Sequence, residues 1–112
     1  MDGLSPNNFA SIIANLCNKY NFIVDYELNI EDNVIVKSRI FLIDNSFIEV
    51  YYNYENVKTS FALIKNNKRI FGADNLGFWH IHPFNNPKKH VKSDEIKIED
   101  FIKEIKNKLF KQ

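Results

Sequence analysis

Cysteine occurs once in this chain, at position 17, so no intrachain disulfide can hold the fold together. The thiol falls on the apolar stripe of a predicted helix, which marks it as a buried, inert group rather than a nucleophile. Charge of one sign is also lacking. The 15 Lys+Arg stand against 14 Asp+Glu and leave a formal net charge of +1, so global electrostatics give no case for binding DNA, RNA or anionic lipid, and any such binding must rest on a local patch. No apolar run approaches the length of a membrane span, and no cationic segment followed by an apolar stretch opens the sequence. The expectation is a cytoplasmic protein with no membrane association. Three glycines and three prolines leave no room for Gly/Ser linkers, and neither repeats nor low-complexity tracts occur, so residues 1–112 are expected to form one domain.

What is present is apolar and aromatic. Hydrophobic residues make up 45% of the chain, including ten Phe, five Tyr and one Trp, enough for a packed interior. Ser5-Pro6 is a helix-start signal, and Phe9, Ile12, Ile13, Leu16 and Tyr20 then recur on one helical face. From Phe22 to Ile30 the period changes to two, the mark of a half-buried strand. Further strands are expected over residues 34–43, 47–54, 59–64, 69–73 and 78–82, punctuated by turns at Asp32-Asn33, Asp44-Asn45, Glu55-Asn56 and Asn66-Asn67. Connections this short cannot join parallel neighbours. The fold class is therefore α+β, an antiparallel meander of about five or six strands flanked by an N-terminal helix and by a C-terminal helix striped with Ile98, Phe101, Ile102, Ile105 and Leu109. After Pro83 the apolar residues thin out, and residues 85–89 read as a loop. The lysines that follow, interleaved with Asp94, Glu95, Glu99, Asp100 and Glu104, read as a solvated helix face.

Chemistry points to one segment. All the histidines, His80, His82 and His90, lie in the stretch that begins Phe78-Trp79-His80-Ile81-His82-Pro83. In a strand His80 and His82 project from one face while Trp79 and Ile81 turn to the core, and the loop can return His90 to them. Such a group can chelate a divalent metal such as zinc, with Asp74 or Asp94 completing the ligands or orienting a ring. It can equally run acid–base chemistry without metal, because imidazole titrates close to neutrality: one ring takes the 2′-hydroxyl proton of RNA and another protonates the leaving oxygen. His80, His82, His90 and Asp74 are then the candidate catalytic residues. Asn75, Arg69, Lys88 and Lys89 are the candidates for holding substrate and its phosphate charge. A structural duty for the histidines, closing the end of the sheet, is the third reading. Asp25, Glu27 and Glu49 read as a solvated sheet face, and the crowded Tyr51, Tyr52 and Tyr54 as core and interface, although exposed tyrosines could stack bases.

The ordered series Arg39 to Val50, an aromatic strand, Ile70-Phe71-Gly72-Ala73-Asp74-Asn75, the histidine segment to His90-Val91, and Ile98-Glu99-Asp100-Phe101-Ile102 resembles the TumE-type toxins of prokaryotic toxin–antitoxin systems. The likeness runs over roughly residues 34 to 106. It implies a toxin acting on RNA or translation, with an antitoxin protein as partner and a homodimer as a further expectation. A shorter likeness is local: Gly77-Phe78-Trp79-His80-Ile81-His82-Pro83 followed by Asp94 is similar to the zinc motif of JAMM/MPN metalloproteases. That implies a hydrolase with His80, His82 and Asp94 on zinc and Glu49 as the base. A non-catalytic module that binds a partner along an exposed strand edge is the remaining alternative.

Overall fold

The computed structural model describes residues 3–111. Helix α1 spans Pro6–Lys19, and its first turn is capped by the Ser5 hydroxyl, which accepts from the Asn8 amide at 3.2 Å. Phe9, Ile13, Leu16 and Cys17 form its buried stripe, and burial pushes the Cys17 thiol up to about 11, in keeping with an inert group. The strands follow as β1 (Ile23–Glu31), β2 (Ile35–Leu42), β3 (Phe47–Asn53), β4 (Thr59–Lys65), β5 (Lys68–Asp74), β6 (His80–His82) and β7 (Val91–Lys92), and α2 (Ile98–Leu109) closes the order. Each strand pairs antiparallel with its neighbour, so the sheet order is simply β1 to β7.

The hairpins form where Asn and Asp can enter the left-handed region. Asp32, Asn33, Asn45, Asn66 and Asn67 all have φ between 52° and 69°. At the β2–β3 turn, burial of Asp44 works against ionisation. The Ser46 hydroxyl and amide and the Lys65 ammonium outweigh it and hold the carboxyl below its ordinary value.

Alternation then divides the sheet into two faces. Val36, Ile40, Ile48, Val50, Phe61 and Leu63 turn to the helices and belong to one continuous core. Stacking ties both helices to this face: Phe9 of α1 lies on Tyr52 at 4.4 Å between ring centroids, and Phe101 of α2 lies on Phe71 at 4.7 Å. The opposite face carries Glu27, Lys37, Arg39, Glu49 and Tyr51 and is left to solvent.

Two expectations need correction. The meander has seven strands rather than five or six, because Val91–Lys92 pairs with β6 through Ile81↔Val91 and His80↔Lys92. The last long strand expected over 78–82 is also shorter, since Gly77 with φ 86° and the Asp74 carboxylate, which accepts from the Leu76 amide at 3.0 Å, keep the chain bent until His80. Among the described residues, no helix is long and apolar enough to cross a membrane.

Candidate functional site at the β5–β6 edge

The β5–β6 register sets Gly72 opposite His82 and Asp74 opposite His80, with Ala73 opposite Ile81. Ala73 and Ile81 pack toward the core, so Gly72, Asp74, His80 and His82 share the outer face. Glycine at 72 is what lets the His82 ring come close to β5. A Cβ there would meet Arg69 Cδ at 3.1 Å, the Phe61 carbonyl oxygen at 3.2 Å and His82 Cδ2 at 3.3 Å.

One carboxylate organises both rings. Asp74 Oδ1 is 3.1 Å from His80 Nε2, and Asp74 Oδ2 is 2.9 Å from His82 Nε2. The three side chains are buried, with 6% exposure for Asp74, 6% for His80 and 3% for His82. His80 Nδ1 is 2.9 Å from the Phe78 carbonyl oxygen, which can only accept. His80 Nδ1 thus donates to the Phe78 carbonyl, and its Nε2 lies against Asp74. His82 differs: Arg69 Nη2 approaches its Nδ1 at 3.4 Å, so Nδ1 offers a lone pair and Nε2 donates to Asp74. The same guanidinium nitrogen donates to the Pro87 carbonyl at 3.2 Å and so ties the 83–90 loop to β5.

That loop returns His90 onto the pair. Its ring centroid is 4.8 Å from His80 in a stacked arrangement and 4.6 Å from His82 edge-on, while His80 and His82 are 4.9 Å apart. His90 is exposed, so it presents the pair to solvent. Each of the three offers a nitrogen within 4.8 Å of the others, a group that could hold a metal ion.

The remaining candidates separate clearly. The Asn75 side chain accepts from the Thr59 amide at 2.8 Å and donates to the Val57 carbonyl at 2.8 Å, clamping Val57 at φ 53°, a backbone region that strains a β-branched residue. Its geometry is that of a brace between β4 and β5. Lys88 and Lys89 are exposed on the His90 loop, and Asp94 is exposed beyond β7 and is not among the converging ligands. Glu49 lies on β3, paired with Arg39 at 3.2 Å.

Sequence reasoning overlooked three residues here. Lys92 is brought opposite His80 by a two-residue strand too short to leave a periodic signal. Phe78, 56% exposed, packs its ring edge against His80 at 5.8 Å between centroids. Gly72 did carry a usable signal, because a glycine inside a strand pattern often marks close approach of another group.

The fold and its histidine site define an α+β protein with a seven-stranded antiparallel meander and a polar centre at the β5–β6 edge. Comparison with known protein families, with curated proteins and with solved structures gives no match.

Proposed function

We propose that the chain is the toxin of a toxin–antitoxin pair and that it cleaves RNA at the Asp74–His80–His82–His90 centre. The observation that carries this reading is a single buried carboxylate holding two imidazoles beneath a third, exposed one. Proton transfer needs rings of fixed tautomer, and Asp74, the Phe78 carbonyl and Arg69 supply that fixing. His90, the ring a substrate reaches first, takes the 2′-hydroxyl proton, and the 2′-oxygen then attacks phosphorus. The bond from phosphorus to the 5′-oxygen breaks, and His90 delivers the proton it has taken to that oxygen. The products are a 2′,3′-cyclic phosphate and a 5′-hydroxyl. Arg69, Lys88 and Lys89 face the developing phosphate charge, and the resemblance to TumE-type toxins supports the same biological setting in the cytoplasm, with a co-encoded antitoxin as partner.

The three-nitrogen group favours a second reading, a zinc-dependent hydrolase. Zinc–nitrogen bonds of about 2.0–2.1 Å set imidazole nitrogens of a tetrahedral site about 3.4 Å apart. The nitrogens here lie within 4.8 Å of one another, so zinc would draw them closer together. His80, His82 and His90 would be the ligands, His80 and His82 turning their Nε2 atoms from Asp74 to the ion. Bound there, zinc would polarise a scissile bond or activate water.

Inducing the chain alone should arrest bacterial growth, and the purified protein should leave cyclic-phosphate ends on RNA in the presence of a chelator. His90→Ala should remove both effects while the chain stays folded. Cleavage lost to chelator, with about one zinc per chain in the purified protein, moves the chemistry to the metal reading. Growth and RNA both untouched by the wild-type chain would reject the toxin reading.

A further inference from the structure

An exposed aromatic ring stands beside the buried histidines. Phe78 is 56% exposed although Trp79, its neighbour, packs against the core. It meets the His80 ring edge-to-face, and Lys92 Nζ lies over one face of the Phe78 ring 5.6 Å from its centroid, so a base would stack on the other face. Among the described residues, no carboxylate lies within ion-pair distance of Lys92, nor of Arg69, Lys88 or Lys89 on β5 and the His90 loop. Elsewhere on the same outer face the cations are neutralised, Arg39 by Glu49 at 3.2 Å and Lys37 by Glu31 at 3.4 Å.

We infer that Phe78 and Lys92 form a stacking subsite for one unpaired base of single-stranded RNA, next to the phosphate held at the histidines; this rests on the reading of the site as an RNA-cleaving centre. Every base has a π-face, so an exposed aromatic accepts any of them, and a neighbouring cation fixes the adjoining phosphate. A duplex cannot offer such a face, because its bases are stacked on one another. The substrate is accordingly a single-stranded segment with weak sequence preference. A protein partner would find the apolar ring suitable, but the unpaired cations around it favour a polyanion.

The test uses the full chain and a fluorescein-labelled 2′-O-methyl oligouridine, which binds without offering a 2′-hydroxyl to attack. Anisotropy should show Phe78→Ala binding about tenfold more weakly, the loss of roughly one base stack, with Phe78→Trp restoring affinity. Lys92→Gln should lower the slope of log affinity against log salt by about 0.7, the value for one phosphate contact on a single strand. A blunt-ended duplex of the same length should bind weakly and show no response to Phe78→Ala. Wild-type binding that Phe78→Ala leaves unchanged would overturn the subsite while leaving the RNA reading intact. Absence of any wild-type binding would overturn both. Unchanged oligonucleotide affinity in Phe78→Ala, together with lost binding of the co-encoded antitoxin, would assign the patch to a protein partner and reject the stacking role.

Discussion

The outer face of the sheet is two surfaces in one. Over β1 to β4 it is a shallow hollow of about 610 Å³ in which charges answer one another: Arg39 pairs with Glu49 across β2 and β3, and Lys37 with Glu31. Over β5 to β7 the same alternation places a buried carboxylate under two imidazoles, an exposed third imidazole, and cations without carboxylate partners among the described residues. Both surfaces come from one period of two and one meander. What differs is whether the charged groups satisfy one another at the surface, where pairing contributes little and leaves nothing for a ligand, or are held from below by a buried anion. The second arrangement leaves the exposed His90 ring above the buried pair, with cations on its loop that have no carboxylate partner, and for that reason the proposal rests on the β5–β6 edge and not on the charge-paired hollow.

The largest effect should come from removing that anion. Asp74→Ala leaves His80 and His82 buried without their shared partner, and each buried donor left without an acceptor costs about 1–3 kcal/mol. Urea unfolding reads this as a lower midpoint with an unchanged slope. Asp74→Asn keeps the shape and should fold better, yet RNA cleavage should fall by about 10²–10⁴-fold, because an amide cannot accept from both rings. Wild-type cleavage by Asp74→Asn would reduce the carboxylate to a structural filler and erase the contrast between the two surfaces.

Gly72→Val should have an intermediate effect. Its first added carbon already meets the Phe61 carbonyl at 3.2 Å and His82 Cδ2 at 3.3 Å, and backbone cannot yield as a side chain can. Overpacking of this kind costs about 1–3 kcal/mol. A ring displaced by about 1 Å should lose about a hundredfold in cleavage, more than the stability change alone would produce. Cleavage retained at a normal rate by a folded Gly72→Val would show that His82 has no fixed position to lose.

How far the sequence disclosed all this depended on the length of each signal. The seven-residue and longer strands, β1 to β5, announced themselves by alternation and by Asn and Asp at their turns, since those residues adopt positive φ at small cost. The facing of His80 and His82 followed from strand geometry and holds. Their burial did not follow, because it comes from the return of the 83–90 loop, and that return depends on Arg69 binding the Pro87 carbonyl and on two ladder residues in β7. Asn75 illustrates a different loss. Its residue type suits a ligand or a brace equally, and only the contacts with Thr59 and Val57 distinguish the two. Asp74 was named beforehand, but its double contact joins β5 and β6, and a sequence lists residues without stating which rings share an oxygen.

The smallest expected effect lies at the neutral end of the face, and there a near-zero result is informative. Arg39 and Glu49 are about half exposed, so their mutual attraction is screened by solvent and is worth no more than about 1 kcal/mol. A double-mutant cycle of Arg39→Gln and Glu49→Gln, read by urea unfolding, should return a coupling within that range that shrinks as salt is added. The same variants should leave oligouridine affinity unchanged, although Arg39 carries the same charge as Arg69. The cause is position: Arg39 already has its carboxylate and lies over Phe47, 4.9 Å from guanidinium carbon to ring centroid, whereas Arg69 reaches His82 and the His90 loop. If Arg39→Gln weakens RNA binding as much as Lys92→Gln does, the nucleic acid crosses the whole outer face, and the boundary drawn between β4 and β5 must be abandoned.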